Sequence, residues 1–181
     1  MREASRSIYE RLLRDRIVFL ATPIDDDVAN TVIAQLLFLE SEDRTGDIAL
    51  YVNSPGGSVT SSLAIVDAME ALSCPVATVC MSLAAGMAAL LVASGARGRR
   101  FALKHASISL APMEGRTQSP EAAAQLARME AAVVEKLARA TGQPCEAIRE
   151  YMRSSVCFSA EQAVKAGFID GLVDRPERHP R

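Results

Sequence analysis

The chain has 181 residues, of which 49% are hydrophobic but only 4% aromatic, so its interior must be built from aliphatic side chains and alanine. Twenty basic and twenty-two acidic residues leave a formal net charge of −2, which offers no electrostatic footprint to nucleic acid or to an anionic membrane surface. No stretch reaches the ~20 apolar residues of a membrane span, no signal-length apolar run opens the chain, and the four cysteines form no CxxC pair.

These features predict a cytoplasmic protein with one domain over residues 1–181, a core from 8 to 174 and a frayed tail from 175 to 181. They also predict reduced, buried thiols at Cys74, Cys80, Cys145 and Cys157, with no metal and no cofactor.

In chain order, Ile17-Val18-Phe19-Leu20 is an apolar run of strand length. Asp25 can cap a following helix, and Asp26 and Asp27 complement its dipole. Val28, Val32, Leu36 and Leu39 make that helix's apolar stripe, which ends in the polar stretch from Ser41 to Gly46. Ile48 to Val52 is a second strand. Asn53-Ser54-Pro55-Gly56-Gly57-Ser58 then turns sharply into a helix from Val59 to Leu72.

Val76 to Met81 is a third, buried strand, and Ala84-Ala85-Gly86 turns it into a helix from Met87 to Ala93. Arg100 to Leu103 and Ser107 to Leu110 are two short strands. Ser119 as a cap, Pro120 at the first helical position and Gly142 as a left-handed stop frame a long helix, with Leu126, Met129, Val133, Leu137 and Ala140 on one face. Ser159 to Ala166 is a last short helix stopped by Gly167, and Phe168-Ile169-Asp170 closes the chain as a strand. Strands alternating with helices predict an α/β fold with largely parallel pairing.

Two turns carry the chemical information. The glycines of Asn53 to Ser58 let backbone approach a ligand and aim amides at it, as an oxyanion hole requires, although the same turn also suits an ordinary strand-to-helix corner. The second turn is the elbow at Gly86.

The chain resembles the proteolytic subunit of the Clp protease, ClpP, from about Ile8 to Asp174. The resemblance rests on Ile8-Tyr9-Glu10-Arg11-Leu12-Leu13, Arg16 to Leu20, Pro23-Ile24-Asp25-Asp26, Ala34 to Leu39, Tyr51 to Ser58, Arg100-Phe101-Ala102-Leu103, Thr141 to Pro144 and Phe158 to Ala163. It implies the fold shared with crotonases, a spiral of ββα units, here with a protruding helical handle. It also implies heptameric rings stacked around a chamber, and peptide hydrolysis by a Ser-His-Asp triad.

In such a triad the serine attacks, the histidine takes its proton, and the carboxylate fixes the imidazole tautomer. By register with the family, the serine position falls on Gly86 of Ala84-Ala85-Gly86-Met87. Counting on from Phe101-Ala102-Leu103 through Ile108-Ser109-Leu110 puts the histidine position on Ala111, and the aspartate position falls on Ser155. The resemblance leaves oxyanion donors at Gly57 and Met87 and implies a subunit that cannot cut.

Partner contacts also depart from the family. Its cleft for an AAA+ unfoldase maps to Ala49, Tyr51, Ala71 and Phe101, two of them reduced to alanine, which implies weak docking or docking through a partner ring. Only Met1 to Ser7 precede the first helix, where active members carry an axial loop. In the handle, Glu114-Gly115-Arg116 and Ser155-Val156 replace the groups that couple rings, which implies that rings holding this chain and an active ClpP paralogue stack on a different subunit type in preference to self.

Other functions stay open. One is a decoy that sequesters protease-directed small molecules or poisons active rings. Another is an active peptidase with a relocated nucleophile drawn from Cys80, Ser82, Ser107 or Ser109, served by His105 or His179. His105 would stand ~20 Å from Ala111 along extended chain, and Cys80 and Ser82 read as packing residues on a buried strand. A third is a crotonase-like acyl-CoA enzyme, for which no acid or base is evident beside the hole.

Overall fold

The computed structural model describes residues 2–113 and 119–173. The handle residues Glu114 to Arg116 and the tail from 175 to 181 therefore lie outside the described residues. The α/β class expected from the sequence is what forms, around one seven-stranded sheet.

Helix α1 (Arg2–Arg14) starts ahead of Ile8, taking in residues expected to precede it, and leads into β1 (Ile17–Leu20), after which α2 (Asp26–Glu42) follows. Asp25 caps α2 by accepting from Val28 N at 2.8 Å, and Val32, Leu36 and Leu39 are buried as the stripe predicts. Arg16, held at φ 61, gathers the far end of α2: its guanidinium donates to the carbonyls of Leu39 (2.8 Å), Asp43 (3.0 Å), Gly46 (2.8 Å) and Asp47 (3.0 Å). Helix-end carbonyls need such partners, and one arginine supplies them while fixing the loop into β2 (Ile48–Ser54).

Helix α3 (Val59–Ala71), strand β3 (Val76–Ala85), helix α4 (Met87–Ala93) and strand β4 (Arg100–Ala102) come next. β1, β2, β3 and β4 pair side by side and parallel. β3 runs past the expected Met81 because its two halves serve different neighbours. Thr78 to Cys80 pair with β4, whereas Leu83 to Ala85 pair with β5 (Ser107–Ser109). On the other side a register shift between Val52 and Ser54 follows the same bend, and Asn53 Oδ1 accepts from Leu83 N at 3.3 Å across it. Every residue of α4 is buried, so this helix is apolar all round and forms the centre of the core.

The long helix α5 (Pro120–Thr141) has Ser119 accepting from Ala122 N and Gly142 in the left-handed conformation at φ 75, as the cap signals predict. Its first turns are largely exposed and full burial starts at Val133, as befits a handle that stands off the sheet. Helix α6 (Cys145–Arg153) and strand β6 (Cys157–Ser159) were not foreseen; β6 pairs antiparallel with β5, the exception in an otherwise parallel sheet. Helix α7 (Ala160–Lys165) carries a capping box between Ser159 and Gln162.

The closing strand is β7 (Gly171–Leu172), not Phe168 to Asp170. Phe168 and Ile169 are buried in the turn before it, Phe168 against Phe158 with ring centroids 5.2 Å apart. Asp170 locks β7 to β4. Its carboxylate accepts from Arg100 Nε (2.9 Å), Nη2 (2.6 Å) and backbone N (3.0 Å), and its own amide donates to Arg100 O at 2.7 Å. Arg100 Nη1 meanwhile reaches Ala93 O (3.3 Å) and Ala140 O (2.8 Å), capping α4 and α5 together. The thiols divide: Cys74 and Cys80 are buried, but Cys145 and Cys157 are exposed, against expectation, because each sits at the start of an element that faces outward. Among the described residues no helix is long and apolar enough to cross a membrane.

Candidate functional site

Four of the five triad and oxyanion positions expected from the sequence surround one pocket of about 160 Å³. Gly57, Gly86 and Met87 supply one wall, and Leu110, Ala111, Pro112 and Met113 supply the next as the chain leaves β5. Val59 from α3, Val133 and Leu137 from α5 and Met152 from α6 complete it.

Gly86 joins β3 to α4 with φ 53 and ψ −117. That is a region L side chains rarely occupy, and it is the shape of a strand-to-helix elbow that lifts one residue out of the sheet. Its amide donates to Ser109 O at 2.8 Å, tying the elbow to β5. A Cβ placed on Gly86 would meet nothing within 4 Å, so there is room for a side chain that the residue does not have.

Beside it, Ser54 is buried and organises the glycine turn. Its hydroxyl donates to Thr22 O at 2.6 Å and accepts from Gly56 N at 3.1 Å. Ile24 pairs with Gly57 as an isolated parallel bridge, through Ile24 N to Gly56 O (2.9 Å) and Ser58 N to Ile24 O (2.8 Å). A Cβ on Gly56 would lie 2.5 Å from Ala85 O and 3.1 Å from Met87 N, so only glycine lets this turn press against the start of α4. Among the described residues, neither Gly57 N nor Met87 N donates a hydrogen bond within the chain.

Ser155 does not line the pocket. The β5–β6 ladder pairs Ser107 with Ser159 and Ser109 with Cys157, and the same register carried on sets Ser155 across from Ala111. Leu110 N to Val156 O at 2.9 Å holds the two segments together there. The exposed Ser155 sits at φ 49, just after α6. Gly86, Ala111 and Ser155 thus gather where β3, β5 and the approach to β6 come together.

None of the lining residues is a nucleophile, an acid or a base. The other candidates do not line it, although Ser109 stands beside it, its carbonyl accepting from Gly86 N at 2.8 Å. Cys80 is buried on β3 with its Sγ directed at Ser107 O at 3.8 Å, and burial pushes its thiol up to about 12, so it stays protonated. Ser82, expected to face the core or a neighbour, is exposed on this chain, in the stretch of β3 between the residues that pair with β4 and those that pair with β5. His105 is exposed on the turn before β5, Ser107 donates to Ser82 O at 3.4 Å, and His179 lies outside the described residues.

The proposed docking residues fall on the opposite stretch of the sheet. Tyr51 and Phe101 flank Val79 in one row across β2, β3 and β4, and Ala49 shares that face two residues earlier in β2. Tyr51 stacks on Phe19 at 5.3 Å and 9°, and Tyr9 meets Phe19 edge-on at 6.2 Å. Ala71 is exposed at the end of α3. The aromatic contacts of Phe19 and Tyr9 are not evident from the sequence, where Phe19 reads only as a strand hydrophobe, because they depend on the β1–β2 register that sets Phe19 beside Tyr51.

The family model for Clp protease matches residues 1–176. The chain is 46% identical over 176 residues to the ATP-dependent Clp protease proteolytic subunit 2 of Rhodococcus jostii (strain RHA1), a match covering 94% of this chain and 90% of that protein. With a match over nearly its whole length, and with a sheet whose strand ends meet at one elbow, the chain belongs to the Clp protease family.

Proposed function

We propose that this chain is a non-hydrolytic, one-domain subunit of a cytoplasmic, chambered ATP-dependent serine protease, assembled in heptameric rings with an active paralogue. The observation that carries the reading is the elbow at Gly86: its positive φ persists, with open space in front of it, yet the residue has no hydroxyl. Hydrolysis needs an attacking oxygen, a group to take its proton and a group to orient that base. Gly86, Ala111 and Ser155 supply a hydrogen, a methyl and an uncharged alcohol at the three positions.

What the residues retain is binding. Gly57 N and Met87 N can hold an acyl oxygen, and the apolar walls can hold the side chain next to it. An oxyanion hole and binding alone leave roughly 10³–10⁴-fold over water in triad-deleted enzymes, far below useful turnover. Two of the four docking positions being alanine supports weak engagement of an unfoldase, with the partner ring supplying the main dock.

The test is fluorophosphonate labelling together with a fluorogenic peptide assay on the purified chain. The expected result is no adduct and no turnover; an adduct on a pocket side chain whose removal abolishes cleavage would falsify the reading. Titrating the chain into the active paralogue then separates a constructive subunit, which sustains or raises peptidase activity, from a decoy, which lowers it or changes it only when an inhibitor is present.

A further inference from the structure

At the end of α4 away from the elbow lies a second cavity, of about 210 Å³, walled by α3, the last turn of α4 and α5. Its charged lining consists of four cations, Arg97, Arg100, Lys136 and Arg139, against the single carboxylate of Glu70. We infer that this cavity binds a phosphate group, either as the free ion or as a phosphate monoester. The inference uses none of the elbow residues and holds whether or not the chain hydrolyses peptides.

The groups that would repel an anion here already have partners. α4 and α5 both end at the cavity, and helix ends leave carbonyls without intrahelical donors. Arg100 Nη1 donates to Ala93 O (3.3 Å) and Ala140 O (2.8 Å), while Asp170 matches the charge of Arg100. Arg97 Nη2 donates to Arg139 O at 3.1 Å. Glu70 is engaged at both oxygens, Oε2 by Lys136 Nζ (2.9 Å) and Oε1 by Arg139 Nη2 (2.7 Å), and Asp67 Oδ1 lies 3.0 Å from Lys136 Nζ.

With Arg100 set against Asp170, the cations Arg97, Lys136 and Arg139 face the two carboxylates Glu70 and Asp67. One positive charge is left over, and it is that of Arg97. Among the described residues no carboxylate pairs with it, whereas Arg99 in the same turn pairs with Asp47. Its bond to Arg139 O brings this charge up to the turn of α5 that carries Lys136 and Arg139. Like charges gathered in this way repel, and an anion shared between them offsets the repulsion.

The arrangement suits phosphate better than carboxylate. One arginine fork satisfies a carboxylate, but here the donors come from separate elements. Arg97 stands after α4, Lys136 and Arg139 lie on one face of α5, and Ser94 adds a hydroxyl at the end of α4. Nε and Nη1 of both Arg97 and Arg139 have no acceptor among the described residues. A tetrahedral anion can accept from all of these sides at once.

The experiment follows thermal unfolding of the full chain in sodium phosphate against sodium chloride at matched ionic strength. A ligand that binds the folded state raises Tm, so millimolar phosphate raises that of the wild type. Arg149→Gln, on α6 and away from the cavity, keeps the rise. Arg97→Gln, which breaks no ion pair, binds phosphate about tenfold more weakly and loses most of it. Salting-out by phosphate acts on every variant alike, so an equal rise in wild type and Arg97→Gln overturns the inference, as does no rise at all. Fluorescence polarisation with a labelled phosphoserine pentapeptide and its serine twin then separates the two sources. Binding of the phosphopeptide that Arg97→Gln weakens supports a phosphate carried by a partner protein, and a Tm rise from phosphate with neither peptide binding supports the free ion. Equal binding of the two peptides overturns recognition of the monoester.

Discussion

The elbow pocket and the Arg100–Asp170 seam lie on the same sheet and treat polarity in opposite ways. At the seam a buried guanidinium is satisfied by a carboxylate and two helix-end carbonyls, and the pair ties β7, β4, α4 and α5 together. In the pocket no lining residue carries a charge, and the positive-φ glycines Gly57 and Gly86 shape its backbone. No side chain of the pocket makes a polar link between elements of the sheet, so its lining can vary without loss of fold. The seam has no such freedom.

The largest effect in this comparison is expected at the seam. Asp170→Asn leaves Arg100 buried without its counter-charge and costs about 3 kcal/mol in urea unfolding. Arg100 holds the Asp170 carboxyl below its ordinary value of 3.8 through hydrogen bonds and charge. The pair's contribution is therefore complete above that value and drains away as pH falls through the depressed one. The gap between wild type and Asp170→Asn should be full at neutral pH and close in acid; a gap that widened in acid would show that Asp170 is not the group responsible.

Next comes the turn. Gly57→Ala drives a Cβ into the Ile24 backbone and should cost about 2 kcal/mol, read by the same titration; a neutral result would mean that the Ile24 bridge is dispensable.

Gly86→Ser has space for its side chain but pays for a positive φ, about 1 kcal/mol. It should yield no measurable peptide turnover, because nucleophile, base and orienter act as a unit. Turnover by this single variant would relocate the base. Least affected should be Glu70→Gln, which breaks the exposed Lys136 and Arg139 pairs between α3 and α5 for no more than about 1 kcal/mol, and less in high salt.

Much of this division was legible beforehand. Ser119, Pro120 and Gly142 framed α5, and Gly86 marked the corner into α4, because caps and positive φ are local demands that a residue type either meets or does not. Family register then set Gly57, Gly86, Met87 and Ala111 together, and the structure puts all four around one pocket. What escaped was set by distant partners. β6 has three residues, two of them exposed, and becomes a strand only because β5 lies beside it. Phe168 and Ile169 read as strand but fill the core, and β7 is formed by the less apolar Gly171-Leu172. The four carbonyls of the Arg16 clamp come from positions 23 to 31 residues further on, beyond the reach of any local pattern.

The late pairing of β7 with β4 has a consequence for biosynthesis. Phe101 and Ala102 find their strand partners at Gly171 and Leu172, about seventy positions downstream, so a nascent chain carries a bare β4 edge and an unpaired Arg100 until residue 172 has left the ribosome tunnel. Exposed edges invite the wrong neighbour. In a cell that translates this subunit beside a homologous one, that interval is when the two polypeptides are most open to mispairing, and chaperone capture is best matched to it.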